Sequence, residues 1–156
     1  MNWAHVHLTI NHFPVVGVFG AIALLIYSLL RKSEEVKLVS FGLFVLLALI
    51  TLAVFFTGQA AEDTVKKLPG VTEAYIGRHE EMAELALVLI GTLGIASLAG
   101  LLFLRESGAI PKWIVVIVLL LSLVTAAVVG LTANLGGQIR HTEVRSAEFG
   151  VRSHDA

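Results

Sequence analysis

Residues 38–56 read LVSFGLFVLLALITLAVFF, nineteen consecutive positions without a charged side chain. A helix needs ~20 residues to cross ~30 Å of hydrocarbon, so this stretch by itself sets the class of the fold. Three further runs, 13–30, 82–104 and 113–131, are of the same kind, with little polar content beyond Ser, Thr and Gly apart from Glu84 near the start of the third. Lipid leaves a backbone only two ways to satisfy its polar groups, the helix and the closed barrel, and these unbroken runs lack the alternation of barrel strands. The expected fold is all-α: an integral membrane four-helix bundle over residues 1–145, followed by a flexible tail over 146–156 with little apolar content.

The rest of the composition agrees. Of 156 residues, 56% are hydrophobic and 15% charged, with a mean hydropathy of +0.86; soluble domains run to roughly 45–50% and about 25%. Eleven Lys and Arg against twelve Asp and Glu leave a net charge of −1, which gives a nucleic-acid surface no electrostatic basis. The absence of cysteine excludes disulfides, thiolate metal sites, iron–sulfur clusters and c-type haem attachment. No Walker loop, nucleophile elbow or dinucleotide fingerprint is present. The stretch HEEMA at His79 has Ala83 where a zinc protease needs its second histidine.

Orientation follows from the connectors. Residues 31–37 and 105–112 hold five Lys or Arg, whereas the opposite face holds six in roughly 60 residues. The positive-inside rule then places both connectors in the cytoplasm and both termini outside. No Lys or Arg precedes the first run, and a basic pair follows it without a small-residue cleavage site, so it is expected to be a retained span rather than a signal peptide. Between the second and third spans, Leu68-Pro69-Gly70 is expected to turn between short helices, one of them running into the third span.

Sliding the chain along itself gives a match at an offset of 74 to 75, pairing His5 with His79, Gly17 with Gly91, Gly20 with Gly94, Arg31 with Arg105 and Thr57 with Thr132. Two tandem two-helix repeats in the same orientation imply a pseudo-twofold axis along the membrane normal. The paired glycines are expected to admit close helix approach.

This topology puts all six histidines, His5, His7, His12, His79, His141 and His154, on the external side. With Asn2 as N-cap, His5 and His12 fall on one helical stripe. Under the repeat, His5 and His79 face each other across the axis, and opposed imidazoles in a helical bundle are what axial ligation of haem b requires. The candidate haem residues are therefore His5, His12, His79 and His141, with Arg140 as a partner for propionates. Gly136-Gly137 is expected either to fold the chain back over the bundle mouth or to close the last helix. The alternative is a zinc, copper or iron ion held by His5, His7, His79, His141, Glu62 and Glu80.

The stretches HVHLTINHFPVVG, TGQAAED, LPGVTEAYIGRHEE and TANLGGQIRH resemble a family of small bacterial four-span membrane proteins of unassigned function, marked by a His and a Pro near the first span. The resemblance implies an integral protein of the bacterial inner membrane with a His-rich periplasmic face. A likeness to b-type cytochromes is one of architecture. The expected function is that of a b-type cytochrome-like electron carrier or redox-complex subunit rather than a stand-alone enzyme. Its partners would be the lipid bilayer, a periplasmic electron carrier or larger redox complex and a quinone, but no nucleic acid. Metal-ion binding or transport, or a structural membrane subunit, are the other readings.

Overall fold

The computed structural model describes residues 2–141 and Arg145; the tail over 146–156, with His154, lies outside them. The described residues form helices α1 Trp3–Ile10, α2 His12–Arg31, α3 Glu34–Val65, α4 Glu73–Ser107 and α5 Lys112–Arg140, with no strand among them. Asn11 alone separates α1 from α2, and the pair forms the first of four helical units long and apolar enough to cross a membrane.

Local chemistry explains the boundaries. The Asn2 side chain accepts from the His5 N–H at 3.4 Å and caps α1. The chain breaks at Asn11 and restarts with Pro14 in the first turn of α2, where a missing N–H costs no helical bond. Ser33 caps α3 by accepting from Val36 N–H at 3.3 Å, with Glu34 and Glu35 complementing the positive helix end. Left-handed residues end the helices on the connector side, Lys32 at φ 53° and Gly108 at φ 75°.

The helices close into a ring in which α2 packs on α3, α3 on α4, α4 on α5 and α5 on α2, while α1 lies along α3. Hence α2 stands diagonally opposite α4, and α3 opposite α5. The core-facing positions of α2 are Pro14, Val18, Ala21, Ile22, Leu25 and Ser28. Those of α4 within the same stretch are Ala86, Ile90, Leu93, Gly94, Ser97 and Gly100, each 72 positions further along. For α3 and α5 the first residues, Glu34 and Lys112, lie 78 apart. The six extra residues are four that prolong α4 beyond the end of α2 and two in the longer connector.

The two halves are thus alike in burial, but in a register different from the expected 74 to 75, and the correction carries consequences. His79 corresponds to His7, not to His5. The glycines act singly too: a Cβ on Gly17 would lie 2.5 Å from Leu47, and one on Gly94 would lie 2.5 Å from Ala48 Cβ, whereas Gly20 and Gly91 meet nothing. One glycine from each of α2 and α4 therefore lets its helix close on α3.

At 32 and 35 residues, α3 and α4 are roughly 48 and 52 Å long, far more than the hydrocarbon requires. Their polar ends, 57–65 and 73–81, continue beyond the apolar runs. The short helices expected around Leu68-Pro69-Gly70 are these prolongations. Likewise α5 runs through Gly136 and Gly137 to Arg140 without folding back.

Candidate functional site: two histidines anchored on backbone carbonyls

On α2 the buried positions Val18 and Pro14 recur at helical spacing, and continuing the pattern backward leads to half-buried Asn11 and then to His7 on α1. On α4 the same 3–4 stripe runs back through Ile90, Ala86 and Ala83 to His79. Both histidines are half-buried where the core stripe emerges beyond the apolar runs.

Each ring is anchored in the same way. His7 Nδ1 lies 3.0 Å from the Val54 carbonyl oxygen on α3 and 3.4 Å from Thr57 Oγ1. His79 Nδ1 lies 3.0 Å from the Thr132 carbonyl oxygen on α5. A carbonyl only accepts, so each Nδ1 carries the hydrogen and donates it, which leaves Nε2 of the neutral ring with a free lone pair.

Four residues beyond each carbonyl stands a glycine on the same helix face. A Cβ on Gly58 would come 3.0 Å from His7 Cε1, and one on Gly136 would come 3.1 Å from His79 Cε1. The space these glycines leave is what the rings fill. Thr132 also donates through Oγ1 to Met82 O at 3.1 Å, joining α5 to α4 next to the anchored ring.

Burial pushes the pKa of both histidines below the ordinary value, opposed in part by the carbonyl contacts; at His79 a positive charge on His7 would lower it further. Both rings are therefore held toward the neutral form, and the charge of His7 bears on that of His79. Asn11, one turn beyond His7, has a buried side-chain oxygen that meets no donor among the described residues. Its counterpart 72 positions on is the small Ala83.

Beside this pair, Glu80 is pushed above the ordinary carboxylate range, first by burial and then by the charge of Glu62. Glu62 is held below it by Lys66, whose ammonium lies 2.6 Å away. The ends of α3 and α4 thus hold one ionised carboxylate and one carboxyl that resists ionisation.

Of the remaining candidates, four are exposed. His5 is exposed, and His12 is exposed with Nδ1 donating to Leu8 O of the preceding turn at 2.9 Å. Arg140 and His141 are exposed at the end of α5. Among the described residues no three His, Asp or Glu side chains come together to hold a metal ion.

Arg145 is a structural residue that sequence reasoning passed over. Its guanidinium donates to the carbonyls of Gln138, Ile139 and Gly70 at 2.9, 3.1 and 2.9 Å and lies 4.2 Å from the Tyr75 ring centre. It ties the α3–α4 turn to the end of α5. No sequence motif announces it, because its acceptors are backbone carbonyls.

Comparison with protein-family models, curated proteins and solved structures returns no significant match to this chain.

Proposed function

We propose that the chain is a membrane b-type cytochrome-like electron carrier or redox-complex subunit, in which Nε2 of His7 and Nε2 of His79 ligate one haem at the external end of the bundle. The observation that carries this reading is the repeated anchoring unit: in each half a carbonyl orients Nδ1 and a glycine four residues later makes room for the ring. Ligating histidines use their second nitrogen in this way, which fixes the tautomer and aims the free lone pair at the metal. Two such rings, one from each half, would hold the haem iron.

Supporting features surround the pair. Asn11 offers an unpaired acceptor, and Ala83, Gly58 and Gly136 keep side-chain bulk away from the rings. Arg140, four residues beyond Gly136 on the same helix face, would be the cation to meet a propionate. Once bound, haem would supply a one-electron Fe(III)/Fe(II) couple; the protein's part is to orient both imidazoles and exclude water from the metal.

The outward faces of the helices are apolar, with Leu30 77% and Ile95 72% exposed, as residues facing lipid would be. In this reading the chain lies in the bacterial inner membrane with both termini periplasmic. Since no histidine stands near the connectors, electrons would enter and leave on the external half, between a periplasmic carrier and a quinone or neighbouring subunit. A bare zinc, copper or iron ion is the second reading, disfavoured because two imidazoles do not complete the coordination shell of such an ion.

The test is the absorption spectrum and metal content of protein purified in detergent from haem-supplemented cells. A Soret band with about one iron per chain is expected. Bound zinc or copper without a Soret band would refute the haem assignment in favour of the ion, and neither would refute both.

A further inference from the structure

At the opposite end of the bundle, far from the histidines, a cavity of about 340 Å³ opens between α2, α3 and α5. We infer that it binds the phosphate-bearing head group of an anionic phospholipid, with the acyl chains running along the adjoining apolar surface.

Position is the first argument. Its rim holds Lys32, Lys37 and Lys112. Lys32 lies two residues after the first apolar run, and Lys37 and Lys112 lie one residue before the second and fourth. All three ammonium groups therefore sit at the head-group level of a single leaflet, while Leu29, Val116 and Leu119 line the wall toward the bilayer interior. Leu29 and Val116 are exposed on the outer face of the bundle, so the wall is continuous with the lipid-facing surface.

Charge is the second. The only acid on the rim is Glu34, whose carboxylate bonds Lys37 at 2.6 Å. Three cations and one anion leave an excess of two positive charges. The Lys37 side chain is 12% exposed, so one cation of the site is held in the wall rather than free in water. The N-terminus of α5 adds to this: Pro111 provides no side-chain cap, and its first turn contains no acid, whereas α3 has Ser33, Glu34 and Glu35. Unsatisfied N–H groups and an uncompensated positive helix end favour an anion at that point. A basic pocket between membrane helices, apolar toward the bilayer, matches a lipid with a charged head and two chains. A neutral quinone would gain nothing from the lysines, and a free anion would leave the apolar wall of Leu29, Val116 and Leu119 uncovered.

The experiment is native mass spectrometry of the full-length protein released from micelles doped with equal amounts of phosphatidylglycerol and phosphatidylcholine, with inorganic phosphate as competitor. Two net charges near the head group correspond to roughly 25-fold preferential retention of phosphatidylglycerol. The double variant Lys32→Gln/Lys112→Gln, which alters exposed side chains only, should abolish the preference. Leu119→Trp should reduce retention with the charges intact. Equal retention of both lipids by the unaltered protein, or an undiminished preference in the double variant, would overturn the assignment. Displacement of the lipid by millimolar phosphate would also overturn it, identifying a free-anion site instead. Haem content has no part in these outcomes, so the inference stands or falls apart from the proposed function.

Discussion

Replacing Gly136 by alanine should separate the stability of the fold from the chemistry of His79, and its neighbour Gly137 supplies the control. Both lie within α5, where alanine in place of glycine favours the helix by about 0.5–1 kcal/mol. At Gly137 the new methyl group meets nothing within 4 Å. The whole gain is expected there, a rise in Tm of about 2–4 °C per kcal/mol for a chain of this size. At Gly136 the methyl group would sit 3.1 Å from His79 Cε1 and 3.3 Å from Nδ1, against an optimum of ~3.5–4.0 Å. The ring must retreat by a few tenths of an ångström, which stretches its 3.0 Å contact to the Thr132 carbonyl. A weakened hydrogen bond costs about 0.5–1.5 kcal/mol and offsets the helical gain, leaving Tm nearly unchanged. Loss of an orienting contact to a metal-ligating histidine weakens binding roughly 10–100-fold, so haem affinity should fall by that factor in Gly136→Ala and hold in Gly137→Ala. Thermal unfolding and haem titration followed at the Soret band measure the two effects. Identical behaviour of the two variants in both assays would refute the role assigned to Gly136.

Acidification should weaken the fold through the histidine pair. The folded-state pKa values of His7 and His79 lie below the ordinary 6.5, so the unfolded chain takes up protons first as pH falls through 6.5. Stability is therefore complete above that pH and declines below it, and Tm at pH 5.5 should be lower than at pH 7.5, with a smaller difference in His7→Gln/His79→Gln. Gly94→Ala should destabilise by about 1–3 kcal/mol, because its methyl group would meet Ala48 Cβ, which cannot rotate away. Gly17→Ala meets the flexible end of Leu47 and should cost less; denaturation of the two variants side by side checks the order. Arg145→Ala removes three carbonyl contacts and the stacking on Tyr75. It should loosen the α3–α4 turn by about 2 kcal/mol, seen as faster hydrogen exchange over 66–72 with little change in the helix cores.

The four long helices were legible because the apolar run is a direct statement about the surrounding solvent, and no competing structure satisfies the backbone there. The helices on each side of Leu68-Pro69-Gly70 were legible too, but not that the one before the turn continues α3 without a break. Once a helix leaves the hydrocarbon it needs no apolar residues, and its polar turns look like a loop.

The histidine pair was half legible. Aligning the halves on Arg31 with Arg105 matched connector residues, which slip freely when a helix gains a turn. Core positions do not slip, and Pro14, Val18 and Ala21 align with Ala86, Ile90 and Leu93 at 72, the register that pairs His7 with His79. The usable signal was the 3–4 stripe running back from Val18, which passes through Asn11 and His7 and leaves His5 and His12 outside. The spacing of Gly58 and Gly136 carried no such signal, because the atoms they accommodate come from other helices.

The most direct test is the spin state of bound haem in single-histidine variants, read by optical absorption and electron paramagnetic resonance. The unaltered protein should hold six-coordinate low-spin haem, and His7→Ala and His79→Ala should each convert it to a high-spin form, with His5→Ala, His12→Ala and His141→Ala remaining low-spin. Low-spin haem that persists unchanged in His7→Ala or His79→Ala would contradict axial ligation by this pair.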